Sequence, residues 1–129
     1  PQADNLDLLP SRYREFKQLE QLYKDLGPLV TSIYCSVLQR ELSRNSFENE
    51  SGLRFDRAVE HLKRIEEFCN HEIKFLPNMG RNGKVLALEE LIETLIEERG
   101  GAKTIGLVFV ERRITAIALE CYFVWRSAV

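Results

Sequence analysis

Long apolar runs, an excess of positive charge and paired cysteines are all missing from this 129-residue chain. No apolar run approaches the roughly 20 residues that a membrane-spanning helix needs, so we expect no membrane association. The 18 Lys and Arg residues are outnumbered by 20 Asp and Glu residues, and the net charge is −2. The surface as a whole therefore cannot bind nucleic acid nonspecifically, and only a segregated basic face could hold it.

The three cysteines, Cys35, Cys69 and Cys121, are odd in number and widely spaced. Neither a Cys-x-x-Cys motif nor a nearby pair of histidines accompanies them, which argues against a disulfide framework and against a zinc site. They are typical of reduced thiols in an intracellular protein, cytoplasmic or nuclear.

Motifs for ATP and Mg²⁺ chemistry are missing as well. The sequence has no Gly-x-x-x-x-Gly-Lys-Ser/Thr phosphate loop, no Asp-Glu-x-His metal motif and no acidic cluster of the ribonuclease III type. We therefore expect the isolated chain to bind no cofactor and to have no enzymatic activity.

Most of the chain has apolar residues at three- and four-residue spacings, which predicts α-helices separated by polar, Gly- and Pro-containing turns. The second predicted helix is apolar over about two-thirds of its circumference, which favours a position at the centre of a bundle. The predicted helices cover approximately Ser11–Tyr23, Pro28–Arg44, Leu53–Leu76, Lys84–Arg99 and Ile114–Trp125.

Between the last two helices the pattern changes. Residues Thr104–Val110 are apolar on both alternating faces, as in a strand covered on two sides within a parallel sheet. A strand followed by a helix is the beginning of an α/β unit. The sequence thus predicts a mainly α fold, with a helical domain over residues 1–103 and the first strand and helix of an incomplete α/β domain over residues 104–129.

Residues Gly106–Leu119, with the core Phe-Val-Glu-Arg-Arg-Ile-Thr-Ala, resemble the motif that opens the second RecA-like helicase domain of Dicer endoribonucleases. Related duplex-RNA sensor helicases show a looser Phe-Val-x-x-Arg pattern. Upstream, Leu26–Pro28 and Gln39–Leu42 are similar to the start of the Dicer helicase insertion domain, and Lys84–Leu91 looks like its last helix. The helix between them matches in length and period only.

This resemblance implies a helical insertion domain followed by a RecA-like fragment, acting as a non-catalytic recognition module of a Dicer-type ribonuclease III. It also implies contact with duplex RNA, weak for the chain alone, and docking of a double-stranded-RNA-binding protein. ATP and Mg²⁺ would be bound by the rest of the helicase and nuclease chain. An insertion domain of a sensor helicase without nuclease domains, and a structural spacer, remain as alternatives.

Candidate RNA contacts lie first on the third predicted helix. Arg54, Arg57 and Arg64 fall on one arc, with about one or two helical turns between neighbours, so each guanidinium could meet a backbone phosphate. A solvated face with local pairs such as Glu60–Arg64 explains the same pattern.

Four further candidates follow from the resemblance and from the broad second helix. Arg113 and Thr115 are expected to contact the RNA backbone, unless Arg113 makes a structural ion pair with Glu111 or a neighbouring domain and Thr115 caps the last helix. If other helices leave them uncovered, Tyr34 and Leu42 are expected to form an apolar docking patch for the partner protein.

The fourth predicted helix carries acidic residues together on one side: Glu89, Glu90, Glu93 and Glu97. Facing RNA, this side would repel it. It is expected either to meet a basic protein surface or the arginine-bearing arc, or to be a solvated acidic face.

Overall fold

A computed structural model describes residues 10–45, 52–100 and 105–128. Five α-helices make up most of these described residues, and a short 3₁₀ turn, Pro77–Gly80, joins the third to the fourth. The mainly α prediction is therefore confirmed, and the observed helix ends lie within three residues of the predicted ones. The helices are α1 (Pro10–Leu26), α2 (Pro28–Asn45), α3 (Gly52–Ile73), α4 (Gly83–Arg99) and α5 (Arg113–Ala128).

Helix α2 lies at the centre, in contact with α1, α3 and α5. Every residue from Leu26 to Cys35 is buried, which agrees with the wide apolar arc seen in the sequence. The buried hydroxyl of Thr31 donates a hydrogen bond of 2.9 Å to the carbonyl oxygen of Gly27, one turn back, so its burial leaves this polar group paired. Because three helices cover it, α2 supplies the largest share of the core.

Two glycines bring the α1–α2 junction against the 3₁₀ turn. Gly27 has a φ of +88°, and a Cβ atom there would lie 2.8 Å from the carbonyl oxygen of Gly80. Gly80 has a φ of +81°, and its Cβ would lie 2.9 Å from a side-chain carbon of Ile73. Only glycine fits such a left-handed, closely packed position without strain.

Asn82 then starts α4. Its side-chain oxygen accepts a 3.0 Å hydrogen bond from the backbone N–H of Val85, and its amide nitrogen donates to the carbonyl oxygen of Asp25. The same residue therefore caps α4 and links it by a hydrogen bond to the end of α1. At the other end, Gly100 adopts a left-handed conformation and stops the helix, as the Gly-Gly sequence predicts.

The predicted strand is wrong over its described residues. Ile105–Val110 has no regular secondary structure, and Thr104 lies outside the described residues. Ile105 and Val108, on opposite alternating faces, are 93% and 56% exposed, so no neighbouring layer covers either face of the segment. A strand is stable only when adjacent strands pair its backbone, and no strand occurs in the part of the chain described here.

Helix α5 packs into the same core as α1 and α2. Its buried side chains are Ile114, Ala118, Leu119 and Tyr122. Arg112, just before α5, donates a 2.9 Å hydrogen bond to the carboxylate of Asp25 at the end of α1. The assignment of residues 104–129 to a separate domain stays a prediction, but α5 completes the helical core in this structure.

Candidate functional site

The arginines predicted to contact RNA lie on α3. The side chains of Arg57 and Arg64 are exposed, and Arg54 lies in the first turn of the helix, where side chains are outside the described part of the structure. Arg64 is also within 3.9 Å of Glu60, one turn back, with both side chains more than half exposed. An ion pair this exposed to solvent is weak, so the Arg64 guanidinium remains available to contact a phosphate.

Arg113 and Thr115 both belong to the first turn of α5. Arg113 is exposed and begins the helix, whereas Thr115 is half-buried and lies inside it. A capping residue precedes the first helical residue, so the capping alternative for Thr115 is wrong. The structural ion pair in this motif is made by Arg112 with Asp25 instead.

The predicted docking patch at Tyr34 and Leu42 is wrong for this fold. Tyr34 is 3% exposed and Leu42 is 1% exposed, because α2 is covered by three other helices. A partner could reach neither side chain without opening the core. The wide apolar arc of α2 therefore marks the core of the bundle.

Glu89 lies at the centre of a cluster that sequence reasoning missed. It was expected on an acidic face of α4, yet it is buried, with only 6% of its surface exposed. Arg81 donates to both of its carboxylate oxygens at 3.2 and 3.3 Å, and the Nε atom of Arg126 lies 2.5 Å from Oε2. The Tyr122 hydroxyl completes the cluster by donating to Oε1 at 3.0 Å.

This cluster joins three segments: the 3₁₀ turn region, α4 and α5. Arg126 also reaches Glu93, one turn after Glu89, at 3.3 Å. Burial raises the pKa of Tyr122, and its hydrogen bond to Glu89 raises it further, so the phenol keeps its proton and remains a donor. The three donors compensate the buried carboxylate and hold α4 against α5.

No local signal in the sequence identifies this cluster. Glu89 is one of several glutamates on α4, and its partners lie eight residues before it and more than thirty residues after it. Glu89 meets Tyr122 and Arg126 only because the fold places α5 beside α4. Glu90 and Glu97, by contrast, are exposed as the acidic-face interpretation predicts.

An open groove of about 570 Å³ lies over α2, between α3 and α5. Its floor carries the apolar side chains of Ile33 and Val37, and Val124 and Trp125 of α5 form one wall. Val124 is 63% exposed, so the apolar wall is accessible from solvent. The groove thus offers the accessible apolar surface that Tyr34 and Leu42 lack.

The opposite wall and the rim of the groove are polar. Ser32 donates a 2.6 Å hydrogen bond to Asn70, and Gln39 donates one of 2.6 Å to Glu66, so both pairs link α2 to α3. Arg40 and Glu120 add charges of opposite sign at the rim. An apolar floor with a charged, hydrogen-bonding rim is typical of protein-binding grooves.

Cys121 also lines the groove and is half-buried, whereas Cys35 and Cys69 are fully buried between α2 and α3. Burial raises the pKa of Cys35 to about 12 and that of Cys69 to about 11. Burial and the nearby Glu120 carboxylate also raise the pKa of Cys121. The thiols are therefore neutral near pH 7 and are poor nucleophiles.

The described residues contain no group of three or more His, Cys, Asp or Glu side chains placed to hold a metal ion. Within those same residues, no helix is both long and apolar enough to cross a membrane. The chain matches no protein-family model, and neither a curated protein nor a solved structure is significantly similar to it.

Proposed function

We propose that the chain is a non-catalytic recognition module of a Dicer-like RNA-processing enzyme. In this proposal it docks a double-stranded-RNA-binding protein and contacts duplex RNA beside the helicase region, inside the cell. The resemblance of Gly106–Leu119 to the Dicer motif supports the family, and the bundle of helices is consistent with a helicase insertion domain. ATP and Mg²⁺ would act in the parent enzyme, outside this chain.

The observation that carries the docking role is the groove over α2. Three helices frame an apolar floor, the apolar wall at Val124 is accessible, and side chains of either charge stand at the rim. A helix or loop of a folded partner can bury its apolar side chains in such a groove. Tethering a weak RNA-binding partner near the substrate raises its effective concentration without new RNA contacts.

Calorimetric titration of the chain against the double-stranded-RNA-binding proteins of its own organism tests docking. We expect at least one partner to bind with a Kd below about 100 μM. Circular dichroism on the same sample establishes that the chain is folded. If no partner binds the folded chain, the structural-spacer interpretation replaces docking.

Exposed arginines on α3 support the RNA contact, which is expected to be weak because few phosphates are neutralised. Reversing Arg57 and Arg64 to Glu should reduce the slope of log affinity against log salt by about 2, since two phosphate contacts are lost. Reversing Lys63 and Lys74, which are also exposed, changes the net charge equally and is the control. Equal effects of the two double variants would assign the arginines to a solvated face.

A related duplex-RNA sensor helicase is the second candidate, because Phe109–Arg113 also fits the looser Phe-Val-x-x-Arg pattern. The two families differ in the nuclease domains of the parent protein. Two ribonuclease III domains downstream of this segment in the parent gene would support the Dicer-like proposal, and their absence would favour the sensor.

A further inference from the structure

Helix α3 and the turn after it carry a row of exposed side chains that each end in a flat ring or a flat guanidinium group. They lie three or four residues apart, so the five within the helix fall on an arc of about 80°. Phe75 follows two residues after the end of α3, and its ring meets the His71 ring edge-on, with 5.3 Å between centroids. We name this set the α3 row; its members are Arg57, His61, Arg64, Phe68, His71 and Phe75.

The two phenyl rings of the α3 row are accessible. Phe68 is 59% exposed and Phe75 is 76% exposed. Phe68 lies beside Tyr23 of α1, with 6.1 Å between ring centroids, and Phe75 lies beside His71. Each ring is therefore held by a neighbouring ring while much of its surface remains open to a ligand.

The composition of the α3 row favours unpaired nucleotides over a protein helix. Phenyl, imidazole and guanidinium groups are those on which proteins stack unpaired RNA bases. The row contains neither an aliphatic nor an acidic side chain. The apolar face of a protein helix placed on it would remove Arg57 and Arg64 from water without pairing their charges, which is costly.

A duplex cannot use the phenyl rings for stacking, because its bases are already stacked on one another inside the double helix. An unpaired strand presents both base faces and phosphates. Arg57 and Arg64 lie toward the N-terminal end of the row, where they can meet phosphates, and Phe68 and Phe75 lie toward the other end, where they can meet bases.

Carboxylates border the α3 row on both edges. Glu60 and Glu67 lie along one edge and Glu72 along the other. Glu60 is within 3.9 Å of Arg64, and Glu72 accepts a hydrogen bond from the Tyr23 hydroxyl. Because these carboxylates offset part of the positive charge, attraction to phosphates alone would be weak, and stacking has to supply most of the affinity.

We propose that the α3 row binds single-stranded RNA, with unpaired bases stacked on Phe68 and Phe75 and backbone phosphates at Arg57 and Arg64. The inference rests on the proposed RNA contact of α3 and extends it from the phosphates of a duplex to the bases of an unpaired strand. Because every base has a flat face, we expect little sequence preference.

Two labelled RNAs of about 12 nucleotides, a length within the usual range of single-strand sites, test the proposal on the full chain. One strand is complete, and the other has the same number of phosphates but no bases. Fluorescence anisotropy should show that the complete strand binds about fivefold or more tightly, because only it can stack. Equal binding of the two strands would leave phosphate contacts alone and would overturn the proposal.

Phe68→Leu and Phe75→Leu remove the rings and keep every charge. Each should weaken binding of the complete strand about fivefold or more and leave binding of duplex RNA unchanged. Phe109→Leu, at an exposed ring outside α3, is the matched control and should have no effect. Circular dichroism establishes that each variant is folded, and if Phe68→Leu is not, Phe75→Leu decides. Affinity for the complete strand that matches the control variant would overturn the proposal.

The proposed duplex contact is judged separately by reversing Arg57 and Arg64. Duplex binding that depends on these arginines, combined with ring variants that bind the complete strand normally, would overturn the stacking proposal alone. Ring variants that lose affinity for the partner protein but not for the single strand would assign the α3 row to a protein interface and would also overturn it.

Discussion

Replacing Glu89 should destabilise the contact between α4 and α5 as well as its own helix. Replacing it by Gln removes the negative carboxylate that Arg81, Arg126 and Tyr122 all contact. Because the two arginines keep some access to water, we expect a loss of about 2–4 kcal/mol in the free energy of unfolding, below the full cost of breaking a buried pair. Chemical denaturation measures it.

Glu90→Gln, on the exposed side of the same helix, is the matched control and should change stability by less than about half a kcal/mol. Similar losses for the two variants would mean that the Glu89 cluster does not hold α4 against α5.

Leu38 and Val37 are neighbours on α2, but Leu38 lies in the core and Val37 lines the groove. Leu38 is 3% exposed, whereas Val37 is half-buried and lines the groove. Leu38→Ala should cost about 2–4 kcal/mol through lost burial and a cavity, and Val37→Ala should cost roughly 1 kcal/mol or less. If denaturation shows a loss below about half a kcal/mol for Leu38→Ala, α2 does not form the core.

The buried thiols make stability depend on alkaline pH. The unfolded chain loses the Cys35 and Cys69 protons from about pH 9, whereas the folded chain keeps them up to about pH 11–12. Above pH 9 the unfolded state binds fewer protons, so the free energy of unfolding should fall as pH rises and be highest below pH 9. Denaturation between pH 8 and pH 11 measures the slope, and Cys35→Ala with Cys69→Ala should make it shallower. An unchanged slope in this variant would contradict the assignment.

At the scale of elements, α5 should be needed for cooperative folding, whereas the Ile105–Val110 segment should contribute little to stability. Truncation after Gly100 removes the side chains of α5 that pack into the core, so we expect a broad, non-cooperative unfolding transition. A truncated chain that still unfolds cooperatively would support the separate domain predicted for residues 104–129. Thermal unfolding followed by circular dichroism distinguishes the two outcomes.

The Ile105–Val110 segment exposes apolar side chains and unpaired backbone, so it should promote self-association. Replacing Leu107 and Phe109 by Ser should reduce self-association and leave stability within about half a kcal/mol. Light scattering and denaturation of the same variant measure both. A large loss of stability would mean that this segment packs onto the helices.

Local patterns predict the helices because the signals for helix ends are local. Gly27, Asn82 and Gly100 mark boundaries through their own conformations and hydrogen bonds. The strand prediction failed for a different reason: an apolar pattern on both faces shows that a segment suits burial, but other parts of a protein must supply the covering layers. Those layers are not among the described residues.

The candidate site depends on contacts distant in sequence and was predicted less well. The sequence places Arg57 and Arg64 on one arc, and both are exposed on α3. It cannot show which of the apolar residues on α2 remain accessible, because that depends on where α3 and α5 pack. The groove arises from that packing, and the Glu89 cluster arises from the placement of α5 beside α4.

At the scale of the whole molecule, we propose that the groove over α2 docks a partner protein. Cys121 lines this groove, is half-buried and reports on its occupancy without any substitution. In the free chain at pH 8, a thiol reagent should modify Cys121 first, because Cys35 and Cys69 are fully buried.

The most direct measurement is the rate of Cys121 labelling with and without a saturating double-stranded-RNA-binding partner whose binding calorimetry has established. We expect the bound partner to slow labelling about tenfold or more, because the groove is covered while the complex persists. Slow labelling of Cys35 and Cys69 in both samples shows that the chain stays folded. An unchanged Cys121 rate in the saturated complex would contradict the claim that the groove is the docking surface.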